Sequence, residues 1–199
     1  MASILVSGDT SGSITISAPA VSGTNTLTLP AVTDTLVGLA ATQTLTNKSI
    51  VASQLTGTVA AARLPAGSVL QVVYASTDTA TTTTTSTYAD TALTASITPS
   101  SSANKILVTA YCGSLAKTAN DIQMNLQLLR GATSILLASA LNNNVAAKDT
   151  SNLTLVFLDS PATTSSTTYK VQIANRDNAG TATFNQNGTA TITLMEIAG

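Results

Sequence analysis

The stretch Ile122-Gln123-Met124-Asn125-Leu126-Gln127-Leu128 decides how the chain is read. Apolar and amide side chains alternate in it without a break. A period of two puts the apolar set on one face of a β-strand and the amides on the other. A helix would scatter the same residues around its circumference. The stretch is therefore a strand with one buried face.

The same chemistry recurs on both sides of it. Lys105-Ile106-Leu107-Val108-Thr109-Ala110-Tyr111 precedes it, and Ile135-Leu136-Leu137 follows, leading to a turn at Asn142-Asn143-Asn144. Residues 152–158, 169–173 and 189–197 continue the series towards the carboxyl end. Residues 69–74 and 88–97, the latter closed by Pro99, extend it the other way. The Thr tract over 79–87 is β-branched and low in complexity, which suits an edge strand or a solvated loop. About eight strands with polar turns between them make a two-layer antiparallel sandwich of jelly-roll type. The fold class is all-β.

Residues 1–66 read differently. Ser13-Ile14-Thr15-Ile16-Ser17 and Thr26-Leu27-Thr28-Leu29 alternate, and Gly12, Pro19, Gly23 and Pro30 punctuate them as turn residues do. Each piece has too few apolar side chains per face to build a core alone. The missing partner surface is expected to come from other copies of the chain in a rotationally symmetric bundle. Residues 51–66 are Ala-rich, with a short helix or an extended crossing as the alternatives, ended by Pro65 and Gly67. The expected organisation is an extended β stem over residues 1–66 and a β-sandwich head over residues 67–199, assembled as an intertwined homotrimer.

Composition narrows the function. Charged residues are 9% of the 199, hydrophobic ones 44%, and the net charge is -1. Such a chain folds rather than staying disordered. Hydroxyls and amides must supply its solubility, and it has no electrostatic footprint for nucleic acid or anionic membrane. No stretch approaches the roughly 18 apolar residues of a membrane span. The start, Met1-Ala2-Ser3-Ile4-Leu5-Val6-Ser7, lacks the basic opening and long apolar centre of a signal peptide, so synthesis in a cytoplasm is expected. Cys112, the only cysteine, sits in a strand-like context and is expected to be a small core residue.

Chemical equipment is sparse. With no histidine, neither a Ser-His-Asp nor a Cys-His nucleophile system can be assembled. One cysteine and scattered carboxylates make no zinc site. A glycosidase needs two carboxylates, and Asp149 and Asp159 are the nearest to a pair, although acids flanking a strand are usually solvated turn residues. Gly8-Asp9-Thr10-Ser11-Gly12-Ser13 has neither the lysine nor the helix of a phosphate loop. Asn175-Arg176-Asp177-Asn178-Ala179-Gly180 is oxygen-rich but lacks the spaced acids of a calcium loop, and reads as a polar hairpin. Asn185-Gln186-Asn187-Gly188 carries the Asn-Gly signal of a two-residue hairpin. Of the tyrosines, Tyr111 and Tyr169 are expected in the core and Tyr88 at the surface. The chain is expected not to be an enzyme and to need no cofactor or metal. If the head binds a host surface, the binding candidates are Tyr88, Asn142, Asn143, Asn144, Arg176, Asp177 and Asn178, because loops on a rigid sandwich carry recognition.

Ser22-Gly23-Thr24-Asn25-Thr26-Leu27-Thr28-Leu29-Pro30 followed by Leu45-Thr46-Asn47-Lys48-Ser49-Ile50 resembles the stem segments of bacteriophage tail fibre proteins. Ala66-Gly67-Ser68-Val69-Leu70-Gln71-Val72-Val73 is similar to the junction that introduces their heads, and Asn104-Lys105-Ile106-Leu107-Val108 and Ile192-Thr193-Leu194-Met195-Glu196-Ile197 resemble head strands. The resemblance implies a homotrimeric virion protein seated in another virion protein by its amino end, with the head displayed towards a host-surface glycan or protein. Phage fibres often run to many stem repeats, and the single short stem here leaves a capsid decoration or cement protein as the alternative.

Overall fold

The structure is a computed structural model, and it describes residues 3–7, 12–17, 24, 31, 49, 57, 59–120, 122–141 and 150–199. The chain divides into two compact units, Met1–Thr56 and Gly57–Gly199. In the first, β1 (Ser3–Ser7) and β2 (Ser13–Ser17) form an antiparallel pair with Ser3 opposite Ser17 and Ser7 opposite Ser13. β2 is the alternating Ser-Ile-Thr-Ile-Ser piece. The segments 22–30 and 45–50, which carry the stem resemblance, lie outside the described residues apart from Thr24 and Ser49.

The second unit is the sandwich. Among the described residues its approach holds a short 3-10 helix, Ala61–Arg63, and Gly67 follows at a φ of 88°. The strands are β3 (Val69–Thr77), β4 (Thr81–Thr83), β5 (Ala89–Ile97), β6 (Lys105–Lys117), β7 (Met124–Arg130) and β8 (Thr133–Leu141). They continue with β9 (Thr150–Asp159), β10 (Thr167–Asn175), β11 (Ala182–Phe184) and β12 (Ala190–Ile197). One sheet has the order β5-β10-β7-β8. The other runs β3-β12-β6, with β9 on the far edge of β6. All pairings are antiparallel. Apart from the β7–β8 hairpin, each long connection carries the chain from one sheet to the other. That winding is a jelly roll.

The core follows from alternation. Ile122, Met124, Leu126 and Leu128 are fully buried, as the period-two reading requires. Ile106, Val108, Ala110 and Cys112 of β6 meet them from the opposite layer, with Ile192 and Leu194 of β12, while Leu93 and Ile97 of β5 join them from their own sheet. Cys112 is buried as expected, and burial pushes its thiol up to about 12.

The Thr tract is edge strand and loop, as expected: β4 pairs with β11 at the end of its sheet, and the rest of the tract is loop. Three local expectations need correction. Tyr111 is 40% exposed, because β6 turns Ala110 and Cys112 inward and therefore Tyr111 outward. The Asn185–Gly188 stretch is not a two-residue hairpin. It steps the chain along one edge of β6, from β11 to β12, past a bulge between Cys112 and Leu115. Ser114 fills that bulge at a φ of 48° and holds the step, its carbonyl accepting from Gln186 N at 2.9 Å and its Oγ from Asn187 N at 3.1 Å. Asn175–Gly180 is likewise not a hairpin but the crossing from β10 in one sheet to β11 in the other.

Candidate functional site

The pairing registers give the head two unlike ends. Thr77 lies opposite Ala190, and Ala116 lies opposite both Thr150 and Thr183, so these strand ends share one end of their sheet. Met124 lies opposite both Asn175 and Leu141 at the same end of the other sheet. The connections 78–88 and 176–189, with the described residues of 118–123, therefore belong to this distal end. The opposite, proximal end holds the start of β3 and the end of β12. There the incoming and outgoing chain are clamped together, with Gly67 N donating to Ala198 O at 2.8 Å and Ala198 N to Ser68 O at 2.9 Å.

The sequence candidates sort onto the distal end, but most of their polar groups are engaged. Asn178, in the left-handed region at a φ of 52°, accepts from Ser86 N through Oδ1 at 2.6 Å. Asp177 Oδ2 accepts from Gln123 N at 2.7 Å, and Arg176 donates from Nη1 to Gln123 Oε1. Arg176 N also donates to Gln123 O at 3.0 Å. The 176–178 turn thus holds the Thr loop on one side and the start of β7 on the other. Tyr88, half-buried, stands where that Thr loop enters β5. Asn142, Asn143 and Asn144 lie outside the described residues, but their flanks, Leu141 and Thr150, are both distal.

Sequence reading missed the residues that organise this end. Asn175 is fully buried at the end of β10, its N donating to Thr85 O at 2.9 Å and its Nδ2 to Ala179 O at 2.9 Å. Asn185, equally buried at a φ of 55°, donates from Nδ2 to Thr77 O at 3.0 Å. The Oδ1 atoms of both have no hydrogen-bond partner among the described residues. By residue type both are turn formers. Nothing in a single sequence says that their amides face inward. The exposed surface there carries hydroxyls and amides, including Thr82, Thr84, Ser86, Gln186 and Asn187, beside the charged Asp78, Arg176 and Asp177. The hydroxyls and amides can exchange neutral hydrogen bonds with a ligand.

Two buried carboxylates, Asp159 and Glu196, are committed elsewhere. Asp159 is not a solvated turn residue but 5% exposed, because β9 turns it inward between the sheets. Its Oδ1 accepts from Arg130 Nη1 at 2.9 Å and its Oδ2 from the Tyr169 hydroxyl at 2.7 Å. Burial, and then this bond to a carboxylate, push the Tyr169 hydroxyl far above its ordinary value. Asp149, the other half of the supposed pair, lies outside the described residues.

At the proximal end, Glu196 is 1% exposed. Its Oε1 accepts from Ser100 N at 2.6 Å, Ser100 Oγ at 2.8 Å and Asn104 Nδ2 at 2.6 Å, and its Oε2 from Gln71 Nε2 at 2.6 Å. Burial alone would raise this carboxyl. The bonds from Asn104, Gln71 and Ser100 outweigh it and hold the group below its ordinary value. Beside the cluster lies an open recess of about 330 Å³ lined by Ala61, Leu64, Leu70, Ser100, Asn104 and Ala198. Among the described residues, no group of three or more Cys, Asp or Glu side chains converges as metal ligands would.

No known protein family and no curated protein matches the chain. Among solved structures, the chain is similar to VP2 of infectious bursal disease virus in its subviral particle, with 10% identity and a TM-score of 0.38. The alignment covers 65% of this chain and spans 38% of that one.

Proposed function

We propose that the chain is a structural virion protein of a bacteriophage, a short homotrimeric tail fibre that contributes to host-surface recognition. The amino-terminal unit seats it in another virion protein, and the jelly-roll head is displayed. The observation that carries this reading is the polarity of the head. The chain enters β3 and ends β12 at one end, clamped through Gly67 and Ala198, while the described parts of three connections gather at the other. An attachment module needs that arrangement, with the tether opposite the loops that meet the target. The resemblance of residues 22–30, 45–50 and 66–73 to fibre stems and head junctions points the same way.

The distal loops then meet a host-surface glycan or protein, with hydroxyls and amides as the more numerous contact groups. The reading assigns the chain no catalytic role. Asp159 and Glu196 are each held in hydrogen bonds that a catalytic acid would have to break.

Immunogold labelling of intact virions with antibody against residues 105–199 tests the proposal. Gold at the tail is expected. Gold spread over the shell would make the chain a capsid decoration protein instead. Light scattering of the purified full chain at micromolar concentration should return the mass of a trimer.

A further inference from the structure

The two sheets of the head finish their outer faces differently. On the β5-β10-β7-β8 sheet the outward side chains hydrogen-bond to one another. Lys170 Nζ and Gln172 Nε2 donate to Asp90, Gln127 Nε2 donates to Gln172 Oε1, and Ser139 Oγ donates to Asn125 Oδ1. That face is mostly hydrogen-bonded and polar, with Leu137 exposed at its β8 edge.

The outer face of β3-β12-β6-β9 is uncharged and mainly apolar, with Ser and Thr hydroxyls set more densely towards its distal end. Register places Val72, Met195, Leu107 and Leu158 in one row across the four strands. Tyr74, Thr193, Thr109 and Val156 form the next, and Ser76, Thr191, Tyr111 and Thr154 the third. Val72 and Val156 are each 56% exposed, Tyr74 62% and Leu158 50%. The rows contain no charged side chain, and Lys105 stands outside them at the proximal margin, opposite Ile197.

Two arguments identify what covers this face. The first is charge. A partner of different chemistry gains specificity from charges set against its own, and these rows offer none, whereas an identical uncharged face meets no repulsion and leaves no charge unpaired. The second is area. With strands about 4.8 Å apart and outward residues about 6.8 Å apart, the rows span roughly 400 Å² of sheet plane. Before side-chain relief is counted, that is about half of the ~800 Å² each partner gives to a stable interface. A peptide laid along one row would cover a third of it. A neighbouring head covers it all.

We infer that the outer face of the β3-β12-β6-β9 sheet is the surface through which heads of this protein pack against one another. The inference rests on the homotrimeric reading above and assigns to the head a contact first expected of the stem alone. Full-length Val156→Cys and Leu137→Cys variants test it by maleimide labelling. The replaced side chains are 56% and 64% exposed, on opposite sheets, and buried Cys112 stays silent.

In the native assembly, Val156→Cys should label at least about tenfold more slowly than Leu137→Cys. Adding Val72→Lys should restore its rate without changing the far-ultraviolet circular dichroism. Equal labelling of the two cysteines in a chain whose mass is that of a trimer would overturn the inference and leave the fibre reading standing. A monomeric wild-type chain would remove both.

Discussion

Tyr169 donates its hydroxyl to Asp159 Oδ2 at 2.7 Å, and so ties β10 of one sheet to the edge strand β9 of the other. Arg130, from β7, completes the clasp at 2.9 Å from Asp159 Oδ1. Tyr169→Phe removes one bond of the three residues and leaves the ion pair, so it should cost about 1–2 kcal/mol. Asp159→Ala strands both donors and should cost about 2–4 kcal/mol, the lower end reflecting the partial exposure of Arg130. Urea unfolding at fixed protein concentration measures both. Equal costs would mean that the tyrosine, not the ion pair, carries the clasp.

Glu196 gives the head an acid limit. Its carboxyl is held below its ordinary value of 4.5 in the folded state, so the unfolded chain binds the proton more readily. The stabilisation is present above the unfolded value and is lost as pH falls through the folded one. Melting temperature should therefore decline below about pH 4.5 in the wild type. Glu196→Gln should be less stable at pH 7 and flatter across that acid window. A parallel decline in the two proteins would assign acid unfolding to other carboxylates.

Gly113 lies under the ring of Tyr111. A Cβ at Gly113 would stand 2.9 Å from Tyr111 Cε1 and 3.3 Å from Thr189 O. Gly113→Ala should cost about 1–3 kcal/mol through this overpacking. Tyr111→Ser removes the closer obstruction, so the double variant should be more stable than the sum of the single effects predicts. Strict additivity in the double-mutant cycle would show that the backbone contact at Thr189 dominates.

Asn178 joins the distal loops. Asn178→Gly keeps the left-handed backbone and loses only the bond to Ser86 N, whereas Asn178→Ala adds a conformational cost of about 1–2 kcal/mol. Both should speed hydrogen exchange at the Ser86 amide while leaving the β6 core amides protected. Unchanged exchange at Ser86 would show that the loop holds itself.

Leu126 and Ile192 are fully buried, and Leu137 is 64% exposed. Leu126→Ala and Ile192→Ala should each cost about 2–5 kcal/mol. Leu137→Ala should fall within about 0.5 kcal/mol of the wild type, as surface changes do. Chemical denaturation distinguishes them directly.

The candidate site was only partly legible. Loop membership of Arg176, Asp177 and Asn178 followed from turn chemistry, but which end of the head they occupy did not. Their commitment to Ser86 and Gln123 did not follow, because those partners lie 92 and 54 residues away from Asn178 and Asp177. Nor did the inward-facing amides of Asn175 and Asn185, since an Asn in a turn reads the same whether it faces water or protein.

Alternation is a local property of the chain, and the sequence by itself determined what rests on it: the strands, the buried set from Ile122 to Leu128, the inward Cys112 and the all-β class. Neighbour relations are not local. Glu196 finds Gln71 across 125 residues, and Tyr111 falls outward because of the phase of β6 rather than its own chemistry. Only the tertiary structure decided which strands pair, which connections share the distal end and which sheet face is left mainly apolar. These depend on how two layers jointly bury their inner faces, a collective condition that no single stretch encodes.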